Sequence, residues 1–369
     1  MSYTFEINNA QDTSLLASGK IKANSPVVEI FTAMVNGEDL SKYGKKADVA
    51  AKYITELGEK ASMGDLSAIA ELNEIRKFSI QPRLLQEMKL LGVFGSYKAL
   101  GWNDTPQLET LQVENARADI QAEGLDVSTP FIRRKKTNLT PVTVSAGHKV
   151  NYREIALGNM YNENLLVGEV HKAMRNKAAA YVVETVFAAI ANAGGVKYFY
   201  EHAGLVKADI DALLTKIRRY GRPNVLGDYA VLSQFIPWVG YVSSVSSKDI
   251  IGVSQKVLDE IIDTGLVGKY NGAVLSEIPN PYDFSRLTSD GTNYETVLPA
   301  GLAFVTPGAP AQGVAPIQIF TVGGLTSLSG NDVTTGELLT RFDMRVAAGV
   351  ATTDNIGIIH DTNLDSLTH

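Results

Sequence analysis

The chain contains no cysteine in 369 residues. That removes disulfides, thiolate zinc sites and cysteine nucleophiles together. It also lacks any run of about 18 apolar residues, the length a membrane-crossing helix needs. Positive charge is not in excess: 34 Lys and Arg face 40 Asp and Glu, a net charge of −6. A chain that wraps nucleic acid by bulk charge has the opposite balance. The five histidines are His148, His171, His202, His360 and His369, and none pair at metal-ligand spacing. There is no G-x-G-x-x-G, no G-x-x-x-x-G-K-[ST] and no G-x-S-x-G; Ala193 to Lys197 carries glycine and lysine at the wrong spacing for a phosphate cradle. Trp102 and Trp238 stand alone and read as packing anchors. Glu169, Glu184 and Asp343 read as solvated or paired carboxylates. Met1 to Ser25 is polar and lacks the apolar centre of a signal peptide. No set of acid, base and oxyanion donor assembles. The expectation is a non-enzyme without cofactor or metal, and a binding or structural role.

What is present begins with one long stretch, Asn159 to Gly195. Leu166, Val170, Ala173, Met174, Ala178, Tyr181, Val182, Val186, Ala189 and Ile190 recur at spacings of three and four. That period is helical and gives one apolar face. Asn159 or Asn162 suits the N-cap, and Gly194–Gly195 the stop. The helix would be about 45 Å long, roughly three times the usual length. It suits a spine across a flat molecule.

Before the spine, Met1 to about Ser25 reads as an extended arm. Ser25–Pro26 opens a helix, Lys46 to Lys60 a second, Asp65 to Phe78 a third, and Pro82 a fourth. These form either a small helical domain or a helical arm that packs on neighbours. Thr110 to Glu123 is open between helix and strand. Val127 to Arg153 is distinctive: it holds Arg133, Arg134, Lys135, Lys136, Lys149 and Arg153 and no Asp or Glu. Within it, Thr140 to Val150 alternates with period two, which means strand. Two strands with the cationic cluster near one of them predict a long β-hairpin. An isolated hairpin is marginal in water and needs a surface. In an acidic protein, another copy of the chain supplies that surface. A nucleic-acid patch and a plain solvated run remain the alternatives.

After the spine, Lys207 to Gly221 reads as a helix with Ile210, Leu213, Leu214 and Ile217 inward. Asn224 to Phe235 reads as strand, Lys248 to Thr264 as helix, and Gly268 to Gly272 as a turn into a strand over Ala273 to Ile278. Tyr282 to Val297 is loop-rich. Gly301 to Thr306, Ile317 to Val322, Leu338 to Val350 and Ile356 to Ile359 are short apolar runs that read as strands. The order predicts an α+β fold rather than a wound parallel sheet.

Three stretches carry a resemblance. Ser145-Ala-Gly-His-Lys-Val-Asn-Tyr-Arg-Glu154 runs into the spine. Ile262-Asp-Thr-Gly-Leu-Val-Gly-Lys-Tyr-Asn-Gly-Ala-Val274 is a turn and strand. Phe342-Asp-Met-Arg-Val-Ala-Ala-Gly-Val350 is followed by Asn355-Ile-Gly-Ile358. In their order along the chain these resemble the extended-loop exit, axial-domain strand and closing strands of tailed-bacteriophage major capsid proteins of the Hong Kong 97-type fold. The likeness covers about Gly101 to the C-terminus.

The resemblance implies an N-terminal helical arm over 1–105 and an extended β-hairpin loop over 106–155. It implies a peripheral domain with the spine helix over 156–205 and 300–369, and an axial domain over 206–299. The implied role is a major capsid protein that assembles through pentamers and hexamers into an icosahedral shell around phage double-stranded DNA. An encapsulin-type shell of a bacterial compartment is the alternative. The implied partners are other copies of the chain, a portal, decoration proteins, and DNA contacted weakly without sequence specificity. With Met1 in the chain, the expectation is that no propeptide is removed and that a separate scaffolding protein is needed. The location would be the virion, with assembly in the host cytoplasm. Some members crosslink a lysine to a neighbour's asparagine, and Lys135 and Lys136 lie in the corresponding loop. The intersubunit contact is expected at Arg133, Arg134, Lys135, Lys136, Lys149 and Arg153.

Overall fold

The computed structural model describes residues 25–90, 92, 95–113, 132–151, 160–192, 195–239, 241–245, 248–252, 266–278, 280–288, 291–296, 298–310, 313–332 and 337–367. The arm expected over Met1 to Ser25, Arg153, and the part of the Lys248–Thr264 helix beyond Gly252 lie outside these residues, apart from Ser25 itself.

Three helices come first: α1 (Pro26–Val35), α2 (Lys45–Ser62) and α3 (Leu66–Leu90). Ser25 sits at the N-cap of α1 in extended conformation, with Pro26 as the first helical residue. The third and fourth expected helices are one. Pro82 lies inside α3, where it forfeits a backbone hydrogen bond at a cost of about 3 kcal/mol. Burial of Ile80, Leu84 and Met88 on either side of it, each at most 2% exposed, offsets that loss. Nor do these helices project. Phe31, Leu72, Ile80, Leu84 and Met88 share a core with Val167, Val170 and Met174 of the spine and with Val144, Phe342 and Met344. Exposing five such side chains would cost on the order of 10 kcal/mol.

Strands β1 (Ser96–Leu100), β2 (Gln107–Val113), β3 (Ile132–Asn138) and β4 (Val142–Asn151) lead to α4 (Met160–Asn192), the spine. Its 33 residues span about 50 Å. Its two halves serve different cores. Val167, Val170, Met174 and Ala178 face α1–α3 and the sheet. Val182, Val183, Val186 and Ile190 pack with Phe304, Ile319, Ile356 and Ile358. Ala173, expected inside, is exposed.

The remainder comprises β5 (Tyr198–His202), α5 (Lys207–Arg218), β6 (Gly221–Gly227), the short α6 (Tyr229–Leu232), β7 (Tyr241–Val245), β8 (Lys248–Gly252), β9 (Lys269–Tyr270), β10 (Ala273–Glu277), β11 (Tyr282–Leu287), β12 (Tyr294–Thr296), β13 (Leu302–Pro310), β14 (Ile317–Asp332), β15 (Glu337–Val350) and β16 (Gly357–Asp361). The fold is α+β. One sheet has the order β1-β14-β15-β4 and the other β5-β16-β13-β6-β10-β9; three separate two-strand ribbons are β2-β3, β7-β8 and β11-β12. Helix α5 buries Ile210, Leu213, Leu214 and Ile217 as its spacing requires, against Val225, Ala303 and Val305 of the six-stranded sheet.

Two expectations fail here. The strand expected over Asn224 to Phe235 stops at Gly227, because Asp228 accepts a hydrogen bond from the Ala230 N–H at 2.7 Å and starts α6. Residues 248–252, expected as helix, pair antiparallel with Tyr241–Val245. The turn before β10 is as read: Asn271 (φ 45°) and Gly272 (φ 77°) join β9 to β10, the left-handed pair a tight hairpin requires.

Candidate intersubunit contact site

The cationic run lies on β3. Its partner is β2, with Glu109 opposite Lys136, Thr110 opposite Lys135, Leu111 opposite Arg134 and Gln112 opposite Arg133. The strand over Val142–Asn151 pairs instead with β15, Glu337 opposite Asn151 through Val346 opposite Val142. The hairpin is therefore closed from upstream. The reason is burial: Val144, His148 and Val150 face the helices, so β4 is committed to the four-stranded sheet.

Arg133, Arg134, Lys135 and Lys136 are all exposed. Alternation sends successive members to opposite faces of the ribbon. Lys136 reaches Glu109 at 3.5 Å, an exposed pair worth at most about 1 kcal/mol. The ribbon is fastened at its root. The Gln318 side chain, 3% exposed, donates to the Glu109 carbonyl at 2.7 Å and accepts from the Glu109 N–H at 3.1 Å. Leu139 N–H donates to the Pro106 carbonyl at 2.9 Å. Leu108 and Leu139 lie over Gly349, where an added Cβ would sit 3.1 Å from both. Four more pairs, Thr110 with Lys135 to Val113 with Ile132, continue the ribbon about 13 Å beyond that clamp. The result is a rigidly rooted positive finger on an acidic chain.

Lys149 does not join that cluster. It sits on β4, on the opposite face from the helices, and pairs with Glu337 at 3.7 Å. Beside it, Gly147, Leu328, Leu339 and Arg341 line an open groove of about 820 Å³. Trp102 is 54% exposed and stacks under the Arg345 guanidinium, 5.1 Å from its ring centre. Trp238 is an interior anchor between Phe235 and Tyr270.

A buried polar cluster was not visible in the sequence pattern. Arg76, 1% exposed, donates to Thr340 Oγ1 at 3.1 Å and Asn73 Oδ1 at 3.3 Å. Tyr53 donates to Glu71 at 3.1 Å, and the buried pairing holds the phenol proton strongly. His148 stacks on Phe342 with ring centres 6.0 Å apart. Burial, reinforced by the Arg76 charge, pushes its pKa down to about 3. The only sequence signal is that Glu71, Asn73 and Arg76 stand among Ala68, Leu72, Ile75 and Ile80. The cluster joins α3 to β4 and β15 beneath the sheet. Between α4 and the six-stranded sheet, a cavity of about 10 Å³ beside Val183, Phe187 and Phe304 has room for one water at most. Among the described residues no group of three or more His, Cys, Asp or Glu is placed to hold a metal ion, and no helix is long and apolar enough to cross a membrane.

The long helix thus joins two cores, and the charged ribbon is rooted on the four-stranded sheet. The family model described as "SPbeta prophage-derived putative capsid protein YonB" matches residues 8–360. The chain belongs to that family, and its role is that of a phage-type capsid protein. No curated protein matches it. Among solved structures, the mature capsid of bacteriophage PhiM1 is similar at 13% identity, with 73% of this chain and 85% of that chain covered and a TM-score of 0.40. Microbacterium phage Oxtober96 gives 11%, 72%, 88% and 0.43 in the same terms. The SrpI encapsulin complex of Synechococcus elongatus PCC 7942 gives 10%, 77%, 89% and 0.42.

Proposed function

We propose that the chain is the major capsid protein of a tailed phage or prophage, with a Hong Kong 97-type fold. It assembles through pentamers and hexamers into an icosahedral shell around double-stranded DNA, and resides in the virion after assembly in the host cytoplasm. The observation that carries this reading is the rooted β2–β3 ribbon with its four exposed cations, in a family of capsid proteins. Residues 106–155 are the extended loop, of which β2–β3 is the separate ribbon and β4 lies in the four-stranded sheet; 156–205 and 300–369 are the peripheral domain, 206–299 the axial domain. Residues 1–105 are the N-terminal region, whose helices α1–α3 complete the peripheral core.

Arg133, Arg134, Lys135 and Lys136 contact the acidic surface of a neighbouring copy. Each such contact is weak, but closure of a shell makes all of them simultaneous. Charge pairing sets register more than strength. The net charge of −6 suits a wall that touches packaged DNA weakly. A scaffolding protein, a portal and decoration proteins complete the particle. Electron microscopy of the purified, DNA-containing particle tests the reading: closed icosahedral shells with five- and sixfold clusters around DNA support it. Shells that enclose protein cargo instead would make it an encapsulin-type compartment, and a small discrete species would end the capsid reading.

A further inference from the structure

A second cationic surface lies apart from the β2–β3 ribbon, at the end of α5. The helix stops at Arg218, and Lys216, Arg218, Arg219 and Arg222 follow one another there, all exposed. Lys197, just ahead of β5, joins them through a shared ring. Its ammonium and that of Lys216 stand 5.9 and 6.0 Å from the ring centre of Tyr198. Arg219 also acts on the Tyr198 phenol, more than the carboxylate of Asp354 does. Tyr198 is held by Tyr220, hydroxyl to hydroxyl at 3.2 Å. On the other flank, Arg218 donates to the Asn271 carbonyl at 3.4 Å and Arg222 to the Gly272 carbonyl at 3.2 Å. A guanidinium has five N–H donors, so each keeps donors to spare. The ion pair of α5, Lys207 with Asp211, lies at its other end. Among the described residues, none of the five cations is paired with a carboxylate.

The helix dipole accounts for Lys216 and Arg218, which complement its negative end. It does not account for Arg222 and Lys197, which lie outside the helix. Five like charges gathered on a chain of net charge −6 repel one another unless an anion lies against them. The arrangement selects the kind of anion. The cations extend from the start of β5 to the β9–β10 turn instead of converging on one point, which suits an extended polyanion. The side chains between them are tyrosines, whose hydroxyls also contact phosphates. Phe199, the exposed apolar residue nearest in sequence, alternates to the other face of β5. Among the described residues, this surface therefore lacks the apolar centre that a protein partner buries. In a shell around DNA, the extended polyanion at hand is the packaged duplex.

We infer that Lys197, Lys216, Arg218, Arg219 and Arg222 form a binding patch for the phosphate backbone of duplex DNA, without base readout. This rests on the capsid reading and locates the weak DNA contact away from the β2–β3 ribbon. The test variant is Lys197→Gln, Lys216→Gln, Arg219→Gln. Among the described residues these three side chains make no hydrogen bond, so the variant should keep the wild-type melting temperature. Wild-type dissociated subunits, titrated with two short duplexes of unrelated sequence, should bind both equally. Affinity should fall with a log–log salt slope of about −4.5 for five phosphate contacts, and the variant's slope should be shallower by about 3. In particles, amine acylation read by peptide mass spectrometry should spare Lys197 and Lys216 in DNA-filled shells and modify them in empty ones. A wild-type slope near zero, an unchanged slope in the variant or sequence-dependent affinity would overturn the inference while leaving the shell role intact. So would equal protection in filled and empty shells, because a protein surface would then cover the patch. A chain that never forms shells would remove the shell role, and with it the packaged duplex as ligand.

Discussion

Gln318 and Glu109 are 209 residues apart in sequence and joined by a two-way hydrogen bond, side-chain amide to backbone N–H and carbonyl. That clamp fastens the cationic ribbon to the four-stranded sheet. The ribbon's direction is therefore set by the subunit's core and not by the partner it meets.

Replacing Gln318 by Leu should cost about 1–2 kcal/mol, the usual cost of leaving partly buried backbone groups unpaired. The loss should be local. Amides of β2 and β3 should exchange with solvent faster by hydrogen–deuterium exchange, while those of α4 stay protected. Uniform loss of protection would mean that the clamp supports the whole core.

Arg76 is the largest of the most deeply buried side chains and ties α3 to β15 through Thr340. Arg76→Ala should destabilise the chain by about 3 kcal/mol, because it leaves a cavity and strands its polar neighbours. Arg76→Lys should not rescue it, since one ammonium cannot reproduce the planar fork. Denaturant unfolding of the three proteins decides this.

Acid should weaken the same junction. His148 is held neutral, with its folded pKa pushed from 6.5 to about 3. Between those values the unfolded chain binds a proton that the folded chain refuses. The stabilising contribution is thus complete above about pH 6.5 and lost progressively as pH falls toward 3, by on the order of a few kcal/mol in total. His148→Gln should flatten that part of the stability profile, measured as melting temperature against pH. An unchanged slope in the variant would place the acid sensitivity elsewhere.

Much of this architecture is legible residue by residue. The spine follows from the spacing of Val170, Met174, Val182 and Val186, and α5 from Ile210, Leu213, Leu214 and Ile217. The β9–β10 turn follows from Asn271–Gly272. These are local signals. What local pattern does not carry is pairing at a distance. The alternation of Val142, Val144 and Ala146 marks a strand but not that its partner is Met344 rather than Arg134. Pro82 reads as a helix start because its local cost is visible and the burial of Leu84 and Met88 is not. The candidate site divides the same way. The four cations of β3 are visible as composition, whereas Gln318, which roots them, is one of several polar residues of β14, and nothing local marks it.

The most direct test of the central claim is mass photometry of wild-type chain beside a variant with Arg133, Arg134, Lys135 and Lys136 all changed to Glu. The wild type should form megadalton particles whose assembly weakens as salt rises, since exposed charge contacts are screened within about 10 Å at 0.1 M. The variant should stay as folded subunits with the wild-type circular dichroism spectrum. Normal particles from the variant would contradict the account of the ribbon as the contact that joins one subunit to the next.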